Sequence, residues 1–353
     1  MAKLAKICLK PMASSIKLTL SVSGTAALAL ASMPGTWARP AEAVAQGDAE
    51  DLGAMSISLS DVVKTQLGVQ GQTQAAGTPN QIGVGGFFPL HVGENSVFFL
   101  DVLANLNFAD FWNDSSIINT TVAGTTISTS TRLGYRWLNG DRSWMFGVHG
   151  GYDTRPMATG YADNGRFVSD EKTVFFQQAA FGFEAVSNEW NFNAYGLIPT
   201  GQTEYELNNN YWGGALQTYG LNVAYNVTPS LTASVGYYYQ NGDLGAADGS
   251  GAFGQLAYRL SNDLTLNAKL THDDAFDTRI SGGLEWRFNA NSARHGENQK
   301  KAWETPVIKA LSESVKNRDV RVHDKSQPEY CYTVPAVYGP NGTQISPEFE
   351  ECI

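Results

Sequence analysis

The groups with chemistry to offer in this chain stand on one side of a period-two pattern. Arg132, Arg136, His149, Glu184, Arg259, Lys269, Arg279, Glu285 and Arg287 each fall in a stretch where apolar and polar residues alternate, on the polar side. Charges of both signs along one face of extended chain form ladders. In a confined, low-dielectric wall they rigidify it and set a field across whatever passes. Six cationic positions against two carboxylates incline such a passage weakly towards anions. Two readings stand together: a lining that tunes selectivity or grips a threaded segment, and an ion-pair network that simply fills the interior.

Other chemistry is poorly provided for. An enzyme would rest on His149, or on His272 beside Asp273 and Asp274. Yet His149 lies on the ladder side and no flanking serine strand completes a triad, so no catalytic residue is assigned. Asn241-Gly242-Asp243 and Asp248-Gly249-Ser250 offer acidic turns, but their spacing misses the twelve-residue calcium loop. Five histidines and two distal cysteines make no metal constellation, and no cofactor-binding residue emerges. The net charge of -10 argues against nucleic acid as a partner. Cys8 sits among early lysines and is incidental. Cys331 and Cys352 would close the terminal loop as a disulfide in an exported segment, or remain two free thiols.

The elements that must position these groups are strands. In RISGGLEWRF (279–288), Ile280, Leu284, Trp286 and Phe288 take one parity and Arg279, Ser281, Glu285 and Arg287 the other. That is a strand with an apolar side and a wet side. The dyad recurs over 264–271, 231–240, 190–198 and 127–137. Only 16% of the chain is charged, against about 25% in soluble proteins, without any second long apolar run. A barrel gives this balance, because polar lumen and apolar outer face average along each strand.

Connections alternate short and long. Tight turns at 138–142, 186–189, 226–230 and 261–263 separate pairs joined by the polar stretches 154–172, 200–213 and 241–250; only 272–276 is brief among the latter. Counting back, 96–108 and 81–90 are strands around 91–95, the polar 109–126 follows, and 67–73 completes an even twelve, with ten as the fallback. Trp137, Trp144, Trp190, Tyr225, Tyr258, Trp286 and Phe288 lie on the apolar parity beside short turns, as an interfacial girdle does. Tyr152, Tyr219, Tyr237 and Tyr239 lie nearer the long loops. A soluble sandwich or lipocalin-like barrel, the rival, has no need of belts at both strand ends.

Lys3, Lys6, Lys10 and Lys17, the apolar run 18–33 and small-residue sites at 41–45 read as a signal peptide, with a retained anchor as the alternative. The fold class is thus all-β: a transmembrane antiparallel barrel of about twelve strands, with signal peptide 1–45, a periplasmic segment 46–66, barrel 67–288, and a linker and short C-terminal segment 289–353. In that last part 303–315 suits one short helix, with Val307, Ile308, Leu311 and Val315 on a face, and 318–323 alternates like extended chain. A displayed domain, a pore plug and a disordered tail all fit it.

The runs STSTRLGYRWLNGDRSWMFGVHGGYDTRP and FFQQAAFGFEAVSNEWNFNAYGLIP resemble the translocator domain of the intimin/invasin family, the inverse autotransporters. The resemblance rests on Gly134-Tyr135-Arg136, Tyr152-Asp153, Gly182-Phe183-Glu184 and Asn193-Ala194-Tyr195, and covers about 83–288. It implies a twelve-stranded barrel with a periplasmic N-terminus, whose C-terminal segment threads back through the pore to the cell surface. Family members carry immunoglobulin-like arrays there, and 289–353 is shorter than the about 100 residues that one such domain needs. The expectation is therefore a bacterial outer-membrane protein that anchors or exports its own short tail, with a part in surface attachment left open. A porin-like channel and a non-conducting structural protein are the alternatives. Its expected partners are outer-membrane lipid and the barrel-assembly machinery; any surface ligand of the tail is unnamed.

Overall fold

The computed structural model describes residues 57–108, 120–122, 125–162, 169–170, 172–289, 305–326 and, beyond these, 331–334, 336–338, 340–341, 344–346 and 349–352. The expected signal peptide, most of the stretches 46–66, 109–126 and 163–168, and the linker after 289 lie outside the described residues.

Twelve antiparallel strands close into one barrel: β1 Gln66–Gln72, β2 Asn80–Val92, β3 Ser96–Phe108, β4 Thr126–Leu138, β5 Met145–Ala162, β6 Thr173–Val186, β7 Trp190–Pro199, β8 Gln217–Thr228, β9 Leu231–Asn241, β10 Gly249–Arg259, β11 Leu264–Asp273 and β12 Asp277–Asn289. Each pairs with its neighbours in sequence, and β1 shuts the ring by pairing with β12, Val69 opposite Trp286. Closure leaves neither β1 nor β12 as a free edge for another chain to template on. The outward parity carries Val84, Leu133, Tyr135, Phe183, Leu221, Val235, Leu256, Leu270 and Ile280, all exposed. An apolar belt of that extent is stable only against lipid. Trp190 and Tyr225 pack at 4.8 Å in the girdle, as do Trp286 and Phe288.

Short turns gather at one end of the barrel and longer loops at the other. At the short-turn end, Arg142, held at positive φ, ties neighbouring turns together by donating to the carbonyls of Ile57 and Glu94 and to Asn95 Oδ1.

Two stretches expected as loops are partly strand. β5 continues to Ala162, pairing with β6 as far as Ala158 opposite Thr173, because Arg155 and Met157 turn inward and are buried beneath the loops. Within 200–213, Glu204–Glu206 pairs with Tyr211–Ala215. That short hairpin gains a third strand from the C-terminal segment, Val322–Ser326, with Gly213 opposite Asp324.

Two helices of about one turn, α1 Leu59–Val62 and α2 Pro306–Ala310, sit in the short-turn mouth. The helix expected over 303–315 is limited to α2. Val307, Ile308, Leu311 and Val315 are nevertheless all buried, in one cluster with Leu59, Val62, Val63, Phe87, Phe99, Leu138 and Met145. Apolar burial thus survives where the helix does not. From Leu311 onward the barrel wall takes carbonyls that a helix would have used internally.

Candidate functional site in the lumen

The chain after α2 runs through the barrel. Ser312 accepts a hydrogen bond from Gln66 on β1, Arg318 meets Asp101 in β3, and Arg321 reaches Asp273 near the long-loop end of β11. Beyond it the 322–326 strand lies among the loops, Leu216 N–H donating to the Arg321 carbonyl and Val322 N–H to that of Gly77. The segment therefore enters at the short-turn mouth and leaves at the long-loop end.

Its grip starts from β4. The inward positions of that strand are Ser128, Ser130, Arg132, Gly134, Arg136 and Leu138, all buried. Arg132 forks onto Asp153 of β5 at 2.6 and 2.8 Å, and Gln178 of β6 donates to the same carboxylate at 2.8 Å. Arg136 forks onto Glu184 of β6 at 2.8 and 3.1 Å, with its guanidinium 4.6 Å from the Phe99 ring centre. Gly134 makes that stack possible: a Cβ there would lie 2.4 Å from the Phe99 ring. Each arginine fork is satisfied on one side and keeps N–H groups aimed into the lumen. Pairing and hydrogen bonding offset much of the cost of burying these charges, a cost that an unpaired one would bear in full.

Those spare groups meet the threaded chain. Arg136 donates to the carbonyls of Leu311 and Glu313, the latter at 2.6 Å; Arg132 donates to that of Asn317 and Gln178 to that of Asp319. Arg155 donates to the carbonyls of Val320, at 2.8 Å, and Gly77. Asp101, almost wholly buried, accepts from the Val315 amide and from Arg318, each at 2.8 Å, while Arg318 also donates to Ser130. Lys316 pairs with Glu285, and Asn317 donates to Asn193 of β7. Arg321 stacks 4.7 Å from the Tyr238 ring centre.

The sequence-selected residues divide into two groups. Arg132, Arg136, Glu184 and Glu285 touch the segment or brace a residue that does. His149 is buried with its ring over Gly182 and neither ring nitrogen bonded. Arg287 pairs with Glu285 at 2.5 Å, whereas Lys269 lies 4.1 Å from the Phe253 ring centre. Arg259, on the same inward parity, donates to the Pro229 carbonyl, and Arg279 holds an inward position on β12. Asp101, Arg155 and Gln178 were not singled out from sequence, and Asp153 and Asp273 were named there only in the family resemblance and beside His272, not as part of the lumen lining. Three added carboxylates against one added cation bring the lumen balance closer to even than six against two. Cys331 and Cys352 stand opposite one another in a two-stranded ladder.

The wall is not covered evenly. Most inward residues of β3 to β6 are buried, Gly151 and Glu184 being exceptions, whereas Asn193, Asn222, Ser234, Gln255, Asn267 and Lys269 across the barrel are all half-exposed. Towards the long loops the same wall closes again, with Thr218, Tyr238, Gln240, Phe253, Thr271 and Asp273 buried. No group of three or more His, Cys, Asp or Glu placed to hold a metal occurs among the described residues.

No family model matches the chain, and no curated protein matches it. Solved structures do. A structure described as "Unveiling the Mechanism Behind the in-meso Crystallization of Membrane Proteins" aligns with 74% of this chain and 99% of its own at 14% identity and a TM-score of 0.53. The KdgM porin aligns with 64% of this chain and 99% of its own at 11% identity and a TM-score of 0.36. The calcium-bound outer membrane phospholipase of Salmonella typhi gives 68%, 96%, 13% and 0.36. At these identities the likeness concerns the fold alone, and the last two superpose too loosely to bear on the lumen. The fold is that of an outer-membrane β-barrel.

Proposed function

We propose that this protein is a bacterial outer-membrane barrel of the inverse-autotransporter type, which anchors its own C-terminal segment across its lumen and presents the remainder of the tail on the side of the long loops. One observation carries the reading: residues 306–326 pass from the short-turn mouth to a strand built into the long-loop sheet, held along the way by the wall. The residues of the sequence resemblance support it, because they are the ones that build the grip. Gly134 and Arg136, Asp153, Glu184 and Asn193 all stand in or directly behind the contacts with the segment. In this orientation the short turns are periplasmic and the tail leaves the cell.

A channel is the second reading, and the half-exposed polar wall from Asn193 to Lys269 favours it. There the threaded segment is a plug, and solutes pass only when it moves. An epitope inserted between Pro340 and Asn341, in an exposed turn of the tail, tests the first reading. It should be reached by antibody on intact cells, while one at Gly140, in a short turn with open space around it, should be reached only after the outer membrane is breached. The reverse pattern defeats the proposal.

A further inference from the structure

We infer that the lumen wall is a binding site for extended polypeptide as a chemical class, a rail that reads main-chain carbonyls rather than one sequence, so that peptides unrelated to the resident segment can occupy it. The inference rests on the threaded reading above and says what the thread must be.

The contacts separate into two sets. In the first, wall side chains meet only backbone: Arg136 the carbonyls of Leu311 and Glu313, Arg132 that of Asn317, Gln178 that of Asp319, Arg155 that of Val320, and Asp101 the amide of Val315. Any residue supplies those carbonyls, and any but proline supplies the amide. The donors follow β4, β5 and β6 from the short-turn half to the long-loop end, and two of them are fixed beforehand by the forks onto Glu184 and Asp153. A donor already held in place loses little freedom when the chain arrives.

In the second set the segment contributes its side chains. Arg318 binds Asp101 and Ser130, Arg321 binds Asp273 and the Ala76 carbonyl, and lesser contacts come from Ser312, Lys316, Asn317 and Asp319. These are pins that fix one register on the rail. With Arg318 and Arg321 gone the rail remains, and only the lesser contacts select where along it a chain sits. The uncovered wall opposite leaves room for larger side chains. Specificity thus belongs to the pins and capacity to the rail.

The test uses the full-length protein in detergent, with a specific protease site built into 290–301 and cut after folding, so that the segment is held without a covalent link. Fluorescent peptides are then offered: residues 305–326, the same residues scrambled with Arg318 and Arg321 kept in place, and the scramble with both as alanine. The scramble that keeps both arginines should displace the segment with an affinity within about tenfold of the native peptide. The alanine scramble should bind more weakly yet saturably, and should lose about another tenfold in the Gln178→Met barrel, because one carbonyl donor is gone. Saturable binding of the native peptide with none of either scramble overturns the inference, as does an alanine scramble indifferent to Gln178→Met in a barrel that still shows heat-modifiable migration. Neither result touches the threaded reading, which the Asn341 epitope judges separately; an epitope buried on cells with scrambles still bound would sink the export reading and spare the rail.

Discussion

Replacing Arg318 with alanine should loosen the segment from the lumen enough to be read as electrical current. The side chain makes four hydrogen bonds: 2.8 Å to Asp101 Oδ1, 2.8 Å to the Asp101 carbonyl, and 2.8 and 3.3 Å to the hydroxyl and carbonyl of Ser130. Both members of the ion pair are buried, at 8% and 1% exposure. Stripping one partner from a sealed pair costs about 3 to 5 kcal/mol, mostly because the other charge is stranded. Two features favour the lower end of that range. The Val315 amide still donates to Asp101 Oδ2 at 2.8 Å, and a released segment admits water to the carboxylate. A cost of about 3 kcal/mol multiplies the ratio of released to seated segment by roughly a hundred. Purified full-length protein in a planar bilayer should therefore conduct rarely, Arg318→Ala should open far more often, and deletion of 289–353 should set the ceiling. Arg318→Lys should fall between, since an ammonium restores the charge but not the fork. Current should lean only weakly towards anions, given the near-even wall charge, and Arg132→Glu should remove the lean. Large, stable conductance in the intact protein, unchanged by the deletion, would refute the reasoning and leave a channel.

Three further outcomes are expected. Leu266 faces lipid and Asn267 the lumen, so Leu266→Arg should cost about 2 to 4 kcal/mol and lower the yield of folded barrel, while Asn267→Arg is tolerated; equal yields would contradict the membrane assignment. His323, buried beside the long loops, is held below the ordinary histidine value of 6.5 mainly by its burial, with Lys325 adding to the effect and Asp324 and Asp248 opposing it. The released segment takes up a proton more readily than the seated one, so the latch keeps its full strength above pH 6.5 and weakens as pH falls below it. Protease cutting within 322–326 should rise on acidification in the wild type and stay flat in His323→Gln; a flat wild-type profile removes the latch. Finally, the opposed Cys331 and Cys352 should resist thiol labelling in protein taken from the cell envelope and react after reduction, and ready labelling without reductant would mean free thiols.

The barrel was legible because lipid outside and charge inside impose a period of two that each strand displays by itself. RISGGLEWRF needs no partner to be read. The contents of the bore were less legible, since they depend on pairs far apart in the chain. Asp101 stands in SVFFLDVLANLNF as a single charge in an apolar run, and only Arg318, more than two hundred residues on, explains it. Asp153 read as the end of a strand before a polar loop, but β5 continues past it because the loops and the tail cover Arg155 and Met157. The 204–215 hairpin hid in a stretch rich in Asn and Gly for the same reason: its third strand comes from the tail. The helical face of 303–315 was a correct account of what is buried and an incorrect one of the backbone, because Arg136 takes the carbonyls of Leu311 and Glu313 and Asp101 takes the Val315 amide.

The ring of strands encircles a later part of its own chain, which makes the molecule a lasso held by hydrogen bonds. A lasso of this kind restricts how the enclosed segment can leave. It can slide lengthwise, which drags the 322–326 strand and the paired ends at 331–334 and 349–352 back through the bore, or the ring can part. If the ring parts, the weakest place is set by strand length: β1, with seven residues, is the shortest of the twelve and forms both of its ladders with correspondingly few bonds. Yet α1, a few residues before β1, shares its apolar cluster with α2 at the root of the tail. The noose and the rope are fastened at the same point, so a pull on the tail from the long-loop end would be borne by the junction that keeps the ring shut.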